Sequence, residues 1–273
     1  MDHFVRLGLR FDVMDSGPPD APAVVLLHGF PQQPFSFESV ARRLSAAGLR
    51  TLTPTQRGYS PATRPTRRRD YQAAATAADV VALLDAAGLT HAHIVGHDWG
   101  GSQAWGVAGW NPDRVVSLTV LSTPHPAAFV KSLWTSRQAF RSWYIAVFQL
   151  PAVPELLARR TLPKSLRNSG LPPEFADRYA AAMAEPNALT GALNWYRGIP
   201  FSRRPPLGRI KVPTSYVWGR HDIALARRAV ELTADYVIGP YEVVELEAGH
   251  WLPETKPDAV ADAILTRVRS TQG

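Results

Sequence analysis

Two aspartates and one histidine stand at the ends of separate apolar segments, and they have the residue types of a nucleophilic triad. Asp98 is the central residue of the G-x-D-x-G motif at 96–100, and Asp222 and His250 each follow a later apolar segment. A carboxylate that accepts a hydrogen bond from an imidazole fixes the tautomer of the ring, and the ring can then act as a base. We therefore predict Asp98 as the nucleophile, His250 as the base and Asp222 as the acid that orients it.

The residues around Asp98 indicate a sharp turn between a strand and a helix. Such a turn forces its central residue into a strained conformation and points that side chain away from the sheet. Gly96 and Gly100 flank Asp98, as is required where the helix and a neighbouring strand approach the turn closely. This position usually carries serine. The alternative is that Asp98 only caps the following helix, but the two glycines and the upstream strand favour the nucleophile.

A second motif, His28-Gly29-Phe30-Pro31, directly follows the first long apolar segment. In a sheet of this kind the loop lies beside the nucleophile turn, so we predict that the backbone N–H groups of Phe30 and Trp99 form an oxyanion hole. The alternative is an ordinary turn built on glycine and proline. For His28 we predict a structural role without proton transfer. We also predict a cis peptide bond between Phe30 and Pro31, because the loop must turn tightly to point the Phe30 N–H inward.

Apolar patterning predicts the elements that position these residues. Short apolar segments alternate with helical patterns, which indicates an α/β protein with a mostly parallel sheet covered by helices on both faces. A β-hairpin near 4–7 and 10–13 forms the edge of the sheet. The predicted strands are 24–27, 50–53, 93–95, 115–121, 214–218 and 241–246, and the predicted helices are 37–47, 71–87, one ending near 110, and 257–268.

The alternation breaks after Thr123-Pro124-His125-Pro126. From there to about residue 206 the pattern is helical, aromatic and punctuated by prolines, without a convincing strand. A stretch of this length seldom lacks a function. We therefore predict an α/β core made of 1–125 and 207–273, interrupted by a helical insertion at 126–206.

Composition places the chain among globular proteins with one large α/β domain. It has 273 residues, of which 45% are hydrophobic and 19% charged. It contains no cysteine, which excludes disulfides, thiolate metal sites and cysteine nucleophiles. No apolar run reaches the roughly 18 residues of a membrane span, and the N-terminus lacks a signal-peptide pattern. We expect a cytoplasmic protein without a membrane span, metal or cofactor, as a monomer or homodimer.

The positive charge of the chain raises the question of a nucleic-acid partner. The net charge is +7 and the isoelectric point is near 10.0. Arginine supplies nearly all of this charge, since only four residues are lysine. An arginine bias can follow from genome composition alone, so we predict no nucleic-acid partner. The basic cluster at 64–69 lies in a proline-rich loop before a helix. A solvated loop is the favoured interpretation of this cluster, and a patch for polyanions is the alternative.

Taken in order, these motifs resemble those of the α/β-hydrolases, and specifically of the epoxide hydrolases with an aspartate nucleophile. The resemblance spans nearly the whole chain. It implies that the helical insertion is a cap domain and that the active site is the buried gap between cap and sheet. The order nucleophile, acid, histidine is the order of this architecture. The motifs are His28-Gly29-Phe30-Pro31, Arg57-Gly58-Tyr59-Ser60, Gly96-His97-Asp98-Trp99-Gly100-Gly101, Asn194-Trp195-Tyr196-Arg197-Gly198 and Gly249-His250-Trp251.

The resemblance implies a small apolar epoxide as the substrate, with water as the second reactant. A carboxylate that attacks an epoxide leaves an ester, which water can hydrolyse, whereas a serine would leave an unreactive ether. The released alkoxide needs a proton, and a tyrosine hydroxyl is a neutral donor at pH 7. In the family this tyrosine lies in the cap motif, where it corresponds to Tyr196.

The chain departs from the family at a second cap tyrosine. Many epoxide hydrolases carry one just before a Phe-Gln-x-Pro segment. That segment is Phe148-Gln149-Leu150-Pro151 here, and Val147 precedes it. Tyr144 lies one helical turn earlier and is expected to face the same way. We therefore hypothesise that Tyr144 replaces the usual second tyrosine.

Other functions remain as alternatives. A haloalkane or haloacetate dehalogenase would share the triad and the ester, but a halide needs N–H donors rather than an acid. Haloalkane dehalogenases that resemble this chain often have a polar halide-binding residue at the position of Phe30. Dehalogenases of the haloacetate type have arginine at the position of Trp99. Together with Tyr196, these residues favour an epoxide. An esterase or lactonase without serine is less favoured. A non-enzymatic protein on a hydrolase fold would be expected to have lost a triad residue, and all three are present.

Overall fold

The computed structural model describes residues 1–202 and 206–272. Within these residues the chain forms eight strands, which are β1 (His3–Arg6), β2 (Leu9–Ser16), β3 (Ala23–Leu27), β4 (Arg50–Pro54), β5 (Ala92–His97), β6 (Val115–Leu121), β7 (Thr214–Gly219) and β8 (Tyr241–Leu246). They form one sheet in the order β1-β2-β4-β3-β5-β6-β7-β8. The pairs β1–β2 and β2–β4 are antiparallel, and all others are parallel. The predicted α/β fold and its edge hairpin are confirmed.

Helices connect the strands and fill the interval between β6 and β7. Short 3-10 turns occur as well, for example at Arg68–Tyr71. Because Gln72 is extended, the helix predicted over 71–87 begins at Ala73 instead. The α-helices of the described residues are α1 (Glu38–Ala46), α2 (Ala73–Ala86), α3 (Trp99–Trp110), α4 (Pro126–Thr135), α5 (Gln138–Arg141), α6 (Trp143–Phe148), α7 (Val153–Asn168), α8 (Pro173–Ala184), α9 (Ala188–Gly198), α10 (Arg227–Thr233), α11 (Leu252–Thr255) and α12 (Pro257–Arg269).

The sheet is buried on both faces, as the continuous apolar strands require. In β3 the side chains of Val25 and Leu27 join the core under α2 and α3, whereas Val24 and Leu26 join the core under α1 and α12. All four are fully buried. Each such side chain contributes about 1.5–3 kcal/mol by leaving water. This packing holds the carboxyl ends of the strands, and hence the loops that follow them, at one edge of the sheet.

The helical insertion contains the six helices α4 to α9, and its described residues, 126–202, contain no strand. The predicted boundary at 206 adjoins residues 203–205, which lie outside the described residues. Close backbone contact joins the insertion to the core. Gly58 has a φ of +89°, and a Cβ added there would lie 2.6 Å from the carbonyl oxygen of Gly191 in α9. Only glycine allows both the left-handed backbone and this approach.

Arginines of the 64–69 cluster also bind the helical insertion. Arg64 Nη1 donates to the carbonyl oxygen of Pro186 at 2.9 Å, and Arg68 Nη1 donates to that of Gln149 at 3.4 Å. The interpretation of this cluster as a solvated loop is therefore wrong for Arg64 and Arg68, which are half-buried. It holds for the exposed Arg67. Carbonyl groups near helix ends lack intrahelical partners, and guanidinium donors satisfy them here.

Candidate active site

Asp98 lies at the junction of β5 and α3 in a strained conformation, with φ 51° and ψ −121°. The glycines around it explain how the turn closes. A Cβ at Gly96 would lie 2.2 Å from the carbonyl oxygen of Gly100, and one at Gly100 would lie 2.1 Å from that of Leu27. The Asp98 side chain forms no capping hydrogen bond to α3. The sharp turn thus points the carboxylate away from the helix and out of the sheet.

The Asp98 carboxylate meets the loop that follows β3. Phe30 N–H donates to Asp98 Oδ1 at 2.8 Å, and the peptide bond between Phe30 and Pro31 is cis, as predicted. Trp99 is the first residue of α3, so its N–H belongs to the helical amides without an intrahelical acceptor. The arrangement brings a backbone donor to the carboxylate and leaves Asp98 Oδ2 for other partners.

His250 lies between the two aspartates. Its Nδ1 is 2.9 Å from Asp222 Oδ2, and its Nε2 is 3.7 Å from Asp98 Oδ2. The first distance is a hydrogen bond, whereas the second is a contact between charges. The Asp222 side chain is fully buried, and that of Asp98 is 23% exposed. The structure therefore brings the three predicted triad residues together, with the histidine in the middle.

The protonation of His250 follows from this geometry. Burial favours the neutral ring, but the Asp222 and Asp98 carboxylates outweigh burial and raise the pKa of His250 from 6.5 to about 10. Burial also acts to raise the pKa of Asp98, and the neighbouring His250 outweighs it, so that this pKa lies below its ordinary value. At neutral pH the unreacted site holds an imidazolium between two carboxylates.

The two tyrosines predicted from the helical insertion lie beside Asp98. The ring of Tyr196 packs edge-on against Trp99 and Phe30, with ring centroids 4.8 and 5.6 Å apart. The ring of Tyr144 lies 6.0 Å from that of Tyr196. Burial, the neighbouring Tyr144 and the charge of Asp98 raise the pKa of Tyr196, and burial with the charge of Asp98 raises that of Tyr144. Both hydroxyls are therefore neutral at pH 7.

Known proteins share this architecture over nearly the whole chain. The family model for the alpha/beta hydrolase fold matches residues 22–257. The chain belongs to the α/β-hydrolase family, in its epoxide hydrolase branch. It is 33% identical to the AB hydrolase superfamily protein YfhM of Bacillus subtilis, with 96% of each chain covered. It is 33% identical to Epoxide hydrolase 3 of Xenopus tropicalis, with 93% of this chain and 73% of that protein covered. A solved epoxide hydrolase from metagenomes of hot environments is 31% identical and has a TM-score of 0.87, with 97% of each chain covered.

This enzyme of the epoxide hydrolase type contains a buried chain of polar side chains, in which His97 is the one member that belongs to a sequence motif. In α8 the Tyr179 hydroxyl donates to Glu254 Oε1, and Gln32 Nε2 donates to the same oxygen, both at 2.7 Å. Gln32 Oε1 lies 2.8 Å from His97 Nδ1, and His97 Nε2 lies 2.9 Å from the carbonyl oxygen of His250. Burial raises the pKa of Glu254. Gln32 directly follows the 28–31 motif and Glu254 lies three residues after the 249–251 motif, whereas no sequence signal indicates Tyr179.

The histidine of the 28–31 motif in the hydrolase has the environment of a structural residue. His28 is fully buried, its Nε2 accepts from the N–H of Gln56 at 3.4 Å, and its Nδ1 lies 3.1 Å from the carbonyl oxygen of Gly29. Burial lowers its pKa to about 4. The ring stays neutral at pH 7 and supports the loop that presents Phe30.

Two further features of the hydrolase concern metals and membranes. Among residues 1–202 and 206–272, no group of three or more histidine, aspartate or glutamate side chains is arranged to hold a metal ion. Over that same part of the chain, every helix is too short or too polar to cross a bilayer.

Proposed function

We propose that this hydrolase opens small apolar epoxides to vicinal diols through an ester formed on Asp98. The observation that carries the proposal is the position of the Asp98 carboxylate. One oxygen accepts from a backbone N–H, the other faces His250, and two neutral tyrosines stand beside it. The substrate class is taken from the epoxide hydrolase relatives and agrees with these groups.

In the first step Asp98 Oδ2 forms a bond with an epoxide carbon, and the ring C–O bond breaks. Tyr196 and Tyr144 both donate hydrogen bonds to the departing oxygen, and one of them transfers its proton, since both hydroxyls are protonated at pH 7 and lie near the carboxylate. His250 then returns a proton to the tyrosinate. Ester formation removes the negative charge of Asp98. Asp222 is then the one carboxylate of the pair that still raises the pKa of His250, so the ring gives up its proton more readily.

In the second step the neutral His250 takes a proton from water, and the hydroxide attacks the ester carbonyl. The imidazolium that forms is stabilised by Asp222, 2.9 Å from Nδ1. The tetrahedral oxyanion lies against the N–H of Phe30, which already binds Asp98 Oδ1, and against the N–H of Trp99. Collapse of this intermediate expels the diol as an alkoxide and leaves Asp98 as a carboxylic acid. The alkoxide then takes the proton of that carboxylic acid. The charged pair of Asp98 and His250 is restored.

The helical insertion has the role of a cap in this proposal. Its aromatic residues Tyr144, Phe148 and Tyr196 pack around Phe30 and Trp99. An apolar wall of this kind suits the carbon framework of an epoxide and excludes bulk water, which strengthens the electrostatic interactions of the carboxylate. A turnover screen of styrene-type, aliphatic and terpenoid epoxides beside haloalkanes and haloacetate tests the substrate class. Faster release of halide than of diol would favour a dehalogenase.

A single turnover in ¹⁸O-labelled water tests the ester. We expect an unlabelled diol, because one of its oxygens comes from Asp98, and we expect the label in the peptide that contains Asp98. A His250→Gln variant should still form the ester and should accumulate it, which the intact mass of the protein would report. Label in the diol after the first turnover would mean that water attacks the epoxide directly, and Asp98 would then be a general base.

A further inference from the structure

The loop that carries Asp222, residues 222–226, is held by a buried side chain of the helical insertion. Gln138 Nε2 donates to the carbonyl oxygen of Ala224, and Gln138 Oε1 accepts from the N–H of Ala226, both at 2.7 Å. The backbone partners decide which way the amide points, because a carbonyl only accepts and an N–H only donates. Gln138 is fully buried. It therefore binds the Asp222 loop in one orientation.

A second side chain from the same short helix, α5, binds the same loop. Arg141 Nη1 donates to the carbonyl oxygens of Asp222 at 2.6 Å and of Leu225 at 2.8 Å. Hydrogen bonds from a charged donor are about twice as strong as those between neutral groups. Together, the two side chains bind three carbonyls and one N–H of a five-residue loop that has no helix or strand of its own until α10 begins at Arg227.

The backbone of the Asp222 loop also decides where the Asp222 carboxylate points. Asp222 Oδ1 accepts from the N–H groups of Ala224 at 2.7 Å and Leu225 at 3.0 Å. This leaves Oδ2 for His250 Nδ1 at 2.9 Å. A shift of the backbone at 224–225 therefore moves the carboxylate with it, and lengthens the bond to His250.

We propose that Gln138 and Arg141 are positioning residues for Asp222, so that the contact between α5 and the Asp222 loop sets how strongly Asp222 supports His250. The proposal rests on the function proposed above. Neither side chain is placed at the reacting atoms. Their effect acts through the Asp222 carboxylate, and it therefore falls on the hydrolysis of the ester, which needs His250 and Asp222. Formation of the ester needs Asp98 and the tyrosines, and it is left largely unchanged.

The decisive variant is Arg141→Ala, because Arg141 is exposed and its loss leaves no buried cavity. The matched control is Arg137→Ala, since Arg137 is an exposed arginine just before the same helix and the structure shows no hydrogen bond between its side chain and the Asp222 loop. Arg141→Lys keeps a charged donor and is the rescue variant. Gln138→Met keeps the length of the side chain, adds no charge and removes the hydrogen bonds to Ala224 and Ala226. Thermal melting of each variant shows that it is folded.

The first measurement is the pKa of the His250 ring in the unreacted protein, followed by NMR. A carboxylate near an imidazole raises its pKa, so loosening Asp222 lowers it. We expect the pKa of His250 to decrease by about one unit in Arg141→Ala and Gln138→Met, which corresponds to a tenfold lower proton affinity of the ring. We expect wild-type behaviour in Arg137→Ala and recovery of most of the decrease in Arg141→Lys. A general loss of stability would not move this pKa.

The second measurement follows one turnover by rapid quench and by the mass of the ester. In Arg141→Ala we expect ester formation within about twofold of wild type and hydrolysis slower by about tenfold, within the range that an oriented general base contributes. A His250 pKa that stays at the wild-type value would overturn the proposal, as would equal slowing of both steps. If the wild-type protein forms no ester, the proposed function fails, and the NMR measurement alone then decides whether Gln138 and Arg141 position Asp222.

Discussion

Asp222 and Asp98 together hold a proton on His250, and removing the charge of Asp98 should turn the ring into a base at neutral pH. The perturbation that tests this is Asp98→Asn, which keeps the shape of the side chain and removes the charge, as ester formation does. We expect the pKa of His250 to fall from about 10 towards neutrality. Asp222, which is 2.9 Å from Nδ1, should still keep it above the value of an isolated buried imidazole.

The size of the decrease follows from the distance between the charges. His250 Nε2 lies 3.7 Å from Asp98 Oδ2, and the two side chains are only 8% and 23% exposed. At an effective dielectric constant of roughly 20, two unit charges at this separation attract each other by about 4 kcal/mol. One pKa unit corresponds to 1.36 kcal/mol, so the loss of the Asp98 charge should lower the pKa by about 3 units. The ring would then titrate near pH 7, where a general base is most effective.

The assay is an NMR titration of the His250 ring in wild type and Asp98→Asn, with intact mass as the check that the amide has not hydrolysed. Asp85→Asn is the control, since it removes an exposed carboxylate that pairs with Arg114 instead. It should leave the midpoint of His250 unchanged. A midpoint that stays above about pH 9 in Asp98→Asn would refute the reasoning. Asp222 alone would then hold the proton, and ester formation would not release it.

Two further predictions concern the tyrosines that act as acids and the contact between Gly58 and α9 of the helical insertion. Tyr196→Phe and Tyr144→Phe should each slow ester formation by about 10²-fold, the scale for the loss of a positioned acid, and should leave ester hydrolysis unchanged in rapid-quench experiments. An unchanged rate in Tyr144→Phe would mean that Tyr196 acts alone. Gly58→Ala should lower the free energy of unfolding by at least about 1–2 kcal/mol more than Gly48→Ala in urea titrations. Both glycines have φ near +85°, but a Cβ at Gly58 meets the carbonyl of Gly191 and one at Gly48 meets nothing within 4 Å. Equal losses would show that the contact with α9 is unimportant.

The local pattern of apolar residues and motifs in the sequence was sufficient to predict the fold and the order of the candidate site residues. Strands such as 24–27 are continuously apolar because both of their faces are buried, and the motifs follow them directly. In a parallel sheet the carboxyl ends of the strands share one edge, so residues far apart in the chain meet there. The order of Asp98, Asp222 and His250 therefore predicted a meeting that the structure brings about at 2.9 and 3.7 Å.

Contacts between the helical insertion and the core were decided only by the tertiary structure. Arg64 looks like a solvated residue in a basic loop, yet it donates to Pro186, 122 residues away. Gln138 and Arg141 lie outside every motif, yet they bind the Asp222 loop 81 to 88 residues later. Helical periodicity shows which face of a helix is apolar, but it carries no information on which backbone carbonyl a long polar side chain will reach. That depends on how the insertion packs on the sheet, because the partners are set by position in space and not by spacing along the chain.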